Sequence, residues 1–308
     1  MTLALTPCFD DAGQWERALQ AFLVEKERRS GSRRTVDAYN SMLRHCFAAV
    51  KQPPDRVTSQ AVFAWAYGTG ASGRVPSSAT VSARLACLSS FYRFLIRMGL
   101  VTANPCDPLQ RPRAIASTPR GLTATEVQLL LAVIPTTREG LRDRAIVLAL
   151  VLTGRRRAEV LALRRRDLHA QDGTVFYQYR GKGGKTGRRE LPAPVYAAIT
   201  QALLAWDLEL ERLAPEAPLW PSRGGKGLTA GTFYARLQVY LAAAGLPHSG
   251  VHVFRHTAAK LRREAGQSVE EISQFLDHSN LAVTSVCLRR LEGQQDHGWA
   301  QVASAIGL

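Results

Sequence analysis

The chain has 308 residues, enough for two domains of ordinary size. Hydrophobic residues make up 46% of it, which excludes wholesale disorder and predicts globular cores. The formal net charge is +15, with basic residues in excess both in the first 113 residues and in the remainder. This balance suits a polyanionic partner held from two sides, although charge alone fits a solvated basic surface or an RNA-binding role as well.

In chain order, Trp15, Leu19, Phe22 and Leu23 recur at helical spacing within Gly13–Arg29, and Ser30, Gly31 and Ser32 break the run. Ser32 is placed to cap a second helix with Val36, Tyr39, Met42, Leu43, Cys46 and Phe47 on its apolar face. Arg33 and Arg34 open its polar side. A third helix is expected from near Thr58 to Tyr67, followed by a loop over Gly68–Pro76. Ser77 or Ser78 then opens a long helix ending at Gly99, with Val81, Leu85, Leu88, Phe91, Tyr92 and Leu95 on one face and Arg84, Arg93 and Arg97 off it. Such a bundle can seat basic faces in a DNA groove or simply carry solvated charge. Asn104–Gly121 is rich in proline and arginine. Arg111 and Arg113 there can meet phosphates as the segment passes over a backbone, and a plain connector fits the composition equally well.

In the second half, Thr123 with Glu126 forms a capping box for a helix running to about Ile134. Leu141–Leu152 is apolar on most sides and predicts a central core helix. Thr153–Leu168 reads as a turn followed by a helix. Thr174–Tyr179 alternates as a strand, Gly181–Gly187 turns, and Arg189–Leu191 starts the returning strand. The remainder reads as helices broken at Pro215–Pro221, Gly224–Gly227 and Gly245–Gly250. The five cysteines are scattered with no CxxC pair, so reduced thiols in a cytoplasmic setting are expected. The first residues lack a basic stretch before their short apolar run, so no signal peptide is expected, and no segment is long and apolar enough to suggest a membrane span.

Four features carry possible chemistry. Arg156 and Glu159 stand three apart at a helix start, where the arginine can fork a phosphate and the glutamate orient it, or where the two form a plain surface ion pair. GKGGKTG puts Lys182 and Lys185 on a hairpin tip. It is not a P-loop, because Tyr179 occupies the position that needs the first glycine; a DNA-reaching hairpin and an ordinary glycine turn both remain. His252 and Arg255 lie one turn apart with His256 adjacent. The His252–His256 pair lacks the glutamate of HExxH and an obvious third ligand, so no metal is expected. The capped helix from Ser268 ends at His278, which by itself fits a charge–dipole contact. Together, two arginines, a lysine and two histidines suggest metal-free phosphoryl transfer on DNA with no cofactor.

These motifs resemble those of the tyrosine recombinases, the phage-integrase and Xer-like family, over nearly the whole chain. TGRRRAEVLAL (Thr153–Leu163) resembles TGLRxxELLxL, which implies that Arg156 is a catalytic arginine and Glu159 its support. YRGKGGKTGRRELP resembles the hairpin that carries a catalytic lysine, here Lys182. HVFRHTAA resembles HxLRHTFA and implies roles for His252 and Arg255; FLDHSNLAVTSV resembles LLGHSSIxTTxx and implies one for His278. NPCDPL resembles the NPxxxL that ends the helical amino-terminal domain. The resemblance implies a mainly α fold. Residues 1–111 would form a helical core-binding domain, 112–121 a linker, and 122–308 an α+β catalytic domain with a small antiparallel β-sheet and a tail. It also implies a homotetramer on two DNA duplexes, possible accessory or directionality proteins, and a tail that docks on a neighbouring protomer. In the implied chemistry a tyrosine attacks the scissile phosphate and leaves a 3′-phosphotyrosyl link, arginines hold the non-bridging oxygens, and a lysine protonates the leaving 5′-oxygen.

Two departures stand out. The nucleophile is expected nine residues after His278, where this chain has Cys287, and all eight tyrosines precede that stretch. A thiol is a nucleophile in general, but its sulfur stands much nearer the backbone than a phenol oxygen. The expectation is therefore a recombinase that binds DNA but is impaired in cleavage, with a non-catalytic DNA-binding or accessory protein as the alternative. A type IB topoisomerase would use similar residues, but the short chain and helical amino-terminal half favour the recombinase. The second departure is Asp277 where the pattern has glycine, which places the left-handed cap before His278 in question.

Overall fold

The computed structural model describes residues 12–70, 73–112, 120–181, 184, 186–278, 284, 285 and 288. The chain divides into two compact units, Met1–Ser117 and Thr118–Leu308. As the sequence predicted, the fold is mainly α with one small antiparallel sheet.

The first unit contains α1 (Ala12–Ser30), α2 (Arg33–Val50), α3 (Ser59–Tyr67) and α4 (Ser78–Arg97). Each of the last three starts where a hydroxyl satisfies an otherwise unpaired amide: Ser32 accepts from Thr35, Thr58 from Ala61 and Ser77 from Thr80. The apolar faces meet around Phe91, whose ring stands edge-on to Phe22, Trp15 and Phe47 at 5.2, 5.5 and 5.9 Å. Tyr92 is fully buried and donates to the carbonyl of Pro54 at 2.8 Å. Cys46, Cys87 and Cys106 are free and buried here. Burial raises all three thiols, Cys87 and Cys106 to about 12, so they pack as small apolar groups and not as nucleophiles.

The second unit contains α5 (Ala124–Val133), α6 (Arg138–Thr153), α7 (Arg157–Leu161), β1 (Leu168–Gln171), β2 (Thr174–Arg180), β3 (Thr186–Glu190), α8 (Ala193–Leu204), α9 (Ala230–Ala243), α10 (Val253–Glu264) and α11 (Val269–Phe275). The capping box of α5 forms as expected. The segment after Thr153 is helical for only five residues and then turns into the sheet, whose order is β1–β2–β3, antiparallel throughout. β1 was not foreseen. Its signal was the pair Asp172 and Gly173, both at positive φ (50° and 76°), which makes the tight turn that pairs Gln171 with Thr174. The returning strand also starts earlier than Arg189, because Thr186 already pairs with Arg180.

α6 runs through the core with Ile146, Val147 and Leu150 buried. It starts before Leu141, at Arg138, and the charged Arg142 and Asp143 within the predicted run are interior as well. Asp143 is fully buried. Its Oδ1 accepts from Arg142 at 3.1 and 2.9 Å, and its Oδ2 accepts from the Tyr240 hydroxyl at 2.9 Å and from Arg236. Arg142 also donates to the carbonyl of Pro221 at 2.7 Å. A carboxylate with four donors is tolerated in an apolar core, whereas the cations left behind without it are not. Asp143→Ala is therefore expected to destabilise the second unit by about 3–5 kcal/mol, read as a lowered urea midpoint. A loss below about 1 kcal/mol would show that the network contributes little.

Candidate active site

Three chain segments converge in the second unit: the end of α6 with the start of α7, the start of α10, and the end of α11. α6 stops at Gly154, which adopts φ 62° and donates to the carbonyl of Leu150 at 3.1 Å. A Cβ at Gly154 would stand 2.6 Å from the Phe275 ring and 2.8 Å from Leu276, so glycine is needed both for the backbone conformation and for the approach of α11. Arg156 is the residue that caps α7. Glu159, itself buried, accepts from the Arg156 amide and from its guanidinium, both at 2.9 Å. The side chain of Arg156 stays 36% exposed, so a buried carboxylate aims it and leaves its outer edge accessible. Behind it, the buried Trp220 indole donates to the carbonyl of Val160 at 2.6 Å and pins α7 to the core.

His252 caps α10, and Arg255 lies one turn on. Arg255 is only 5% exposed. It donates to the carbonyl of Gly154 at 2.7 Å and to that of Leu276, bridging the other two segments. Among the described residues no carboxylate pairs with it. Burial, and then the charges of Arg156 and Arg155, bring its guanidinium down to about 10, which still leaves it protonated at neutral pH. His252 and His256 stand edge to face at 5.4 Å. Burial and the neighbouring arginines lower His252; burial, then His252 and Arg255, bring His256 down to about 4. His278 follows α11. Its Nδ1 shares a 2.6 Å hydrogen bond with the hydroxyl of Thr284, which is fully buried. Burial, then Arg255 and Arg156, bring His278 down to about 4 as well. The three histidines are thus neutral at pH 7, each with one N–H to donate and one nitrogen to accept.

The structure therefore brings Arg156, Glu159, His252, Arg255 and His278 to one place. Lys182, Lys185, Arg113 and Cys287, which the sequence also singled out, lie outside the described residues. In the first unit Arg33, Arg34, Arg93 and Arg111 are exposed. Arg84 is engaged instead: its Nη1 donates to the carbonyls of Trp65, Ala66 and Gly68 at 3.0, 3.0 and 2.9 Å and closes the end of α3. That leaves less of its guanidinium for a phosphate than a solvated arginine would offer.

Four residues at the site escaped sequence reasoning or were only half read. Asp277 does adopt the left-handed conformation, at φ 51°. Its carboxylate accepts from Arg155, from the Tyr179 hydroxyl, and from Arg189 at 2.6 Å. Burial opposes the charged form, but the Tyr179 and Arg189 hydrogen bonds and the Arg155 charge hold the carboxyl down at about 2. Arg155 is 1% exposed and stands where TGLRxxELLxL has leucine. That substitution was legible and, set beside Asp277, was the signal for a pair.

Two cations, three histidines held neutral and a buried hydroxyl behind one of them thus gather in one place, a set of donors chemically suited to an anion. Residues 120–291 match the Phage integrase family, and residues 19–99 match the Phage integrase, N-terminal SAM-like domain. The chain is similar to the tyrosine recombinase XerD of Lacticaseibacillus casei, 31% identical over 212 residues that cover 68% of this chain and 71% of that protein. It is also similar to the tyrosine recombinase XerC of Xanthomonas campestris pv. campestris, 28% identical over 273 residues, 87% of this chain and 83% of that one. The fold is shared with the XerH site-specific recombinase bound to a palindromic difH substrate, at TM-score 0.67 and 18% identity over 97% of this chain and 84% of that one. A lambda integrase dimer bound to a COC′ core site gives TM-score 0.66 and 17% identity over 91% and 97%. The chain belongs to the phage integrase family of tyrosine recombinases.

The lowered histidines have a consequence for stability. Above the ordinary value of 6.5 both folded and unfolded forms are neutral and the contribution is complete. Between 6.5 and about 4 the unfolded chain binds protons that the folded one refuses, so stability falls with pH. Urea midpoints are expected to drop across this window and to drop less in a His256→Gln, His278→Gln double variant; equal slopes for the two proteins would refute the assignment.

Proposed function

We propose that this chain is a site-specific DNA recombinase of the integrase type whose phosphate-activating residues are intact and whose strand-cleaving nucleophile position is Cys287. The observation that carries the reading is Arg255. This buried cation is held by two carbonyls with no carboxylate partner among the described residues, so its charge is kept for an anion. Arg156 beside it, aimed by Glu159, supplies the second cation that the non-bridging oxygens of one phosphodiester would meet.

In this reading the exposed arginines of the first unit (Arg33, Arg34, Arg93) and of the segment after it (Arg111, with Arg113) contact the duplex backbone, and Arg84 contributes through its remaining donors. Lys182 and Lys185 approach from the hairpin tip, with Lys182 protonating the leaving 5′-oxygen. Residues 1–111 act as the core-binding domain, 112–121 as the linker and 122–308 as the catalytic domain. Two duplexes and four copies of the chain make the working assembly, with directionality proteins as further partners, in the cytoplasm. Attack on phosphorus forms one bond to the nucleophile as the 5′-oxygen departs with a proton. The reverse reaction with another strand's 5′-hydroxyl restores the phosphodiester, so no external energy source enters.

The weak point of the reaction is the nucleophile. A thiol on a single methylene falls short of where a phenol oxygen would stand by more than the roughly 1 Å that costs on the order of 100-fold in rate. The Cys287 chain is expected to protect its site from nuclease digestion yet form no covalent adduct on a nicked suicide substrate, while Cys287→Tyr forms a 3′-linked adduct. Robust adduct from the Cys287 chain, abolished by Cys287→Ala, would overturn the cleavage defect. Absence of site preference at raised salt would overturn the recombinase reading itself.

A further inference from the structure

We propose that Asp277 and Arg155 form a positioning pair that ties the turn carrying Arg156, the roots of the β2–β3 hairpin and the end of α11 into one unit, and so sets where His278 stands. Its role in the reaction rests on the function proposed above; the geometry does not.

The pair joins residues next to two members of the site: Arg155 precedes Arg156, and Asp277 precedes His278. Arg155 also donates to the carbonyl of Thr153 at 3.2 Å and to that of Phe275, so its guanidinium spans from the end of α6 to the end of α11. It lies 4.5 Å from the centre of the Tyr179 ring. Tyr179 belongs to β2 and Arg189 to β3, and both hold the Asp277 carboxylate, Arg189 also donating to the carbonyl of Gln274 at 2.6 Å. Tyr179 reaches across because its partner in the sheet is Gly187, where a Cβ would stand 2.4 Å from the phenol. One carboxylate thus receives three donors from three segments. This accounts for an aspartate in a left-handed position that glycine fills at less steric cost. It also accounts for an arginine buried where an aliphatic side chain would need no partner. Asp277 engages Arg155 and Arg189 together, so among the described arginines of the site Arg156 keeps an accessible edge and Arg255 has no carboxylate partner. The His278 amide donates to the carbonyl of Ser273 at 3.0 Å, so the imidazole inherits whatever backbone conformation Asp277 is held in.

The test uses Asp277→Asn, Asp277→Glu and the double variant Arg155→Leu, Asp277→Gly, each in the Cys287 chain and with Cys287→Tyr. In the Cys287 chain the His278 imidazole is titrated by NMR. Loss of the Asp277 charge alone would lower its midpoint. Loss of position exposes the ring and raises the midpoint towards the ordinary value, and this rise is the expected result for Asp277→Asn, with partial return in Asp277→Glu. In the Cys287→Tyr chain, Asp277→Asn is expected to slow single-turnover cleavage about 10- to 100-fold without changing affinity for the site. The double variant, which removes both halves of the pair, is expected to recover cleavage to within a few-fold of its parent. A midpoint that stays or falls in Asp277→Asn overturns the proposal. So does a raised midpoint with unchanged cleavage. If Cys287→Tyr itself fails to cleave, the functional reading fails, and the titration still decides the pair.

Discussion

Arg255 donates to the carbonyls of Gly154 and Leu276 from the first turn of α10, so the ends of α6 and α11 cannot separate without unpairing a buried cation. Much of the site follows from this constraint. A charge held in a low-dielectric interior is costly unless hydrogen bonds fix it, and the two carbonyls do so without cancelling the charge. Carbonyl dipoles leave the net charge at +1, and the remaining N–H groups can face an anion. Gly154 makes the arrangement possible, since any side chain there would push Phe275 and Leu276 away.

The second unit separates cations by what neutralises them. Arg142 and Arg236 share Asp143 and belong to the core; Arg155 shares Asp277 and belongs to the frame of the site; Arg156 has Glu159 but keeps an accessible edge. Only a site with positive charge left over attracts a phosphodiester, and the histidines keep from adding to it because burial and the arginines hold them neutral. Neutral imidazoles can both donate to a phosphate oxygen and take up a proton, which charged ones cannot.

The departures from the family pattern can be compared on physical grounds. Arg155 for leucine and Asp277 for glycine are each unfavourable singly: one buries a charge, the other strains a backbone. Together they supply each other's partner. Cys287 for tyrosine has no such compensation in the sequence, because no other tyrosine lies within reach of that stretch along the chain. A compensated pair preserves a framework; on the proposed reading, the uncompensated cysteine would instead remove a step.

By itself the sequence determined the helices of the first unit and their caps, the capping boxes of α5 and α11, the mainly α fold with a small antiparallel sheet, and the motif residues Arg156, Glu159, His252, Arg255 and His278. These depend on local chemistry: hydroxyls at helix starts, apolar residues at helical spacing, and short motifs whose spacing is set within one turn. It misjudged the segment after Thr153 as a longer helix and missed β1, since a four-residue strand has little periodicity to read. Only the tertiary structure decided what Asp277, Arg155, Tyr179 and Arg189 do. They lie up to 122 residues apart along the chain, and an ion pair between distant segments leaves no periodic trace. It also decided that Arg84 closes α3, that Arg142 and Asp143 are interior, and that Arg255 is buried without a carboxylate partner among the described residues. A side chain's charge is written in its identity, but its desolvation and its partner depend on which segments fold over it.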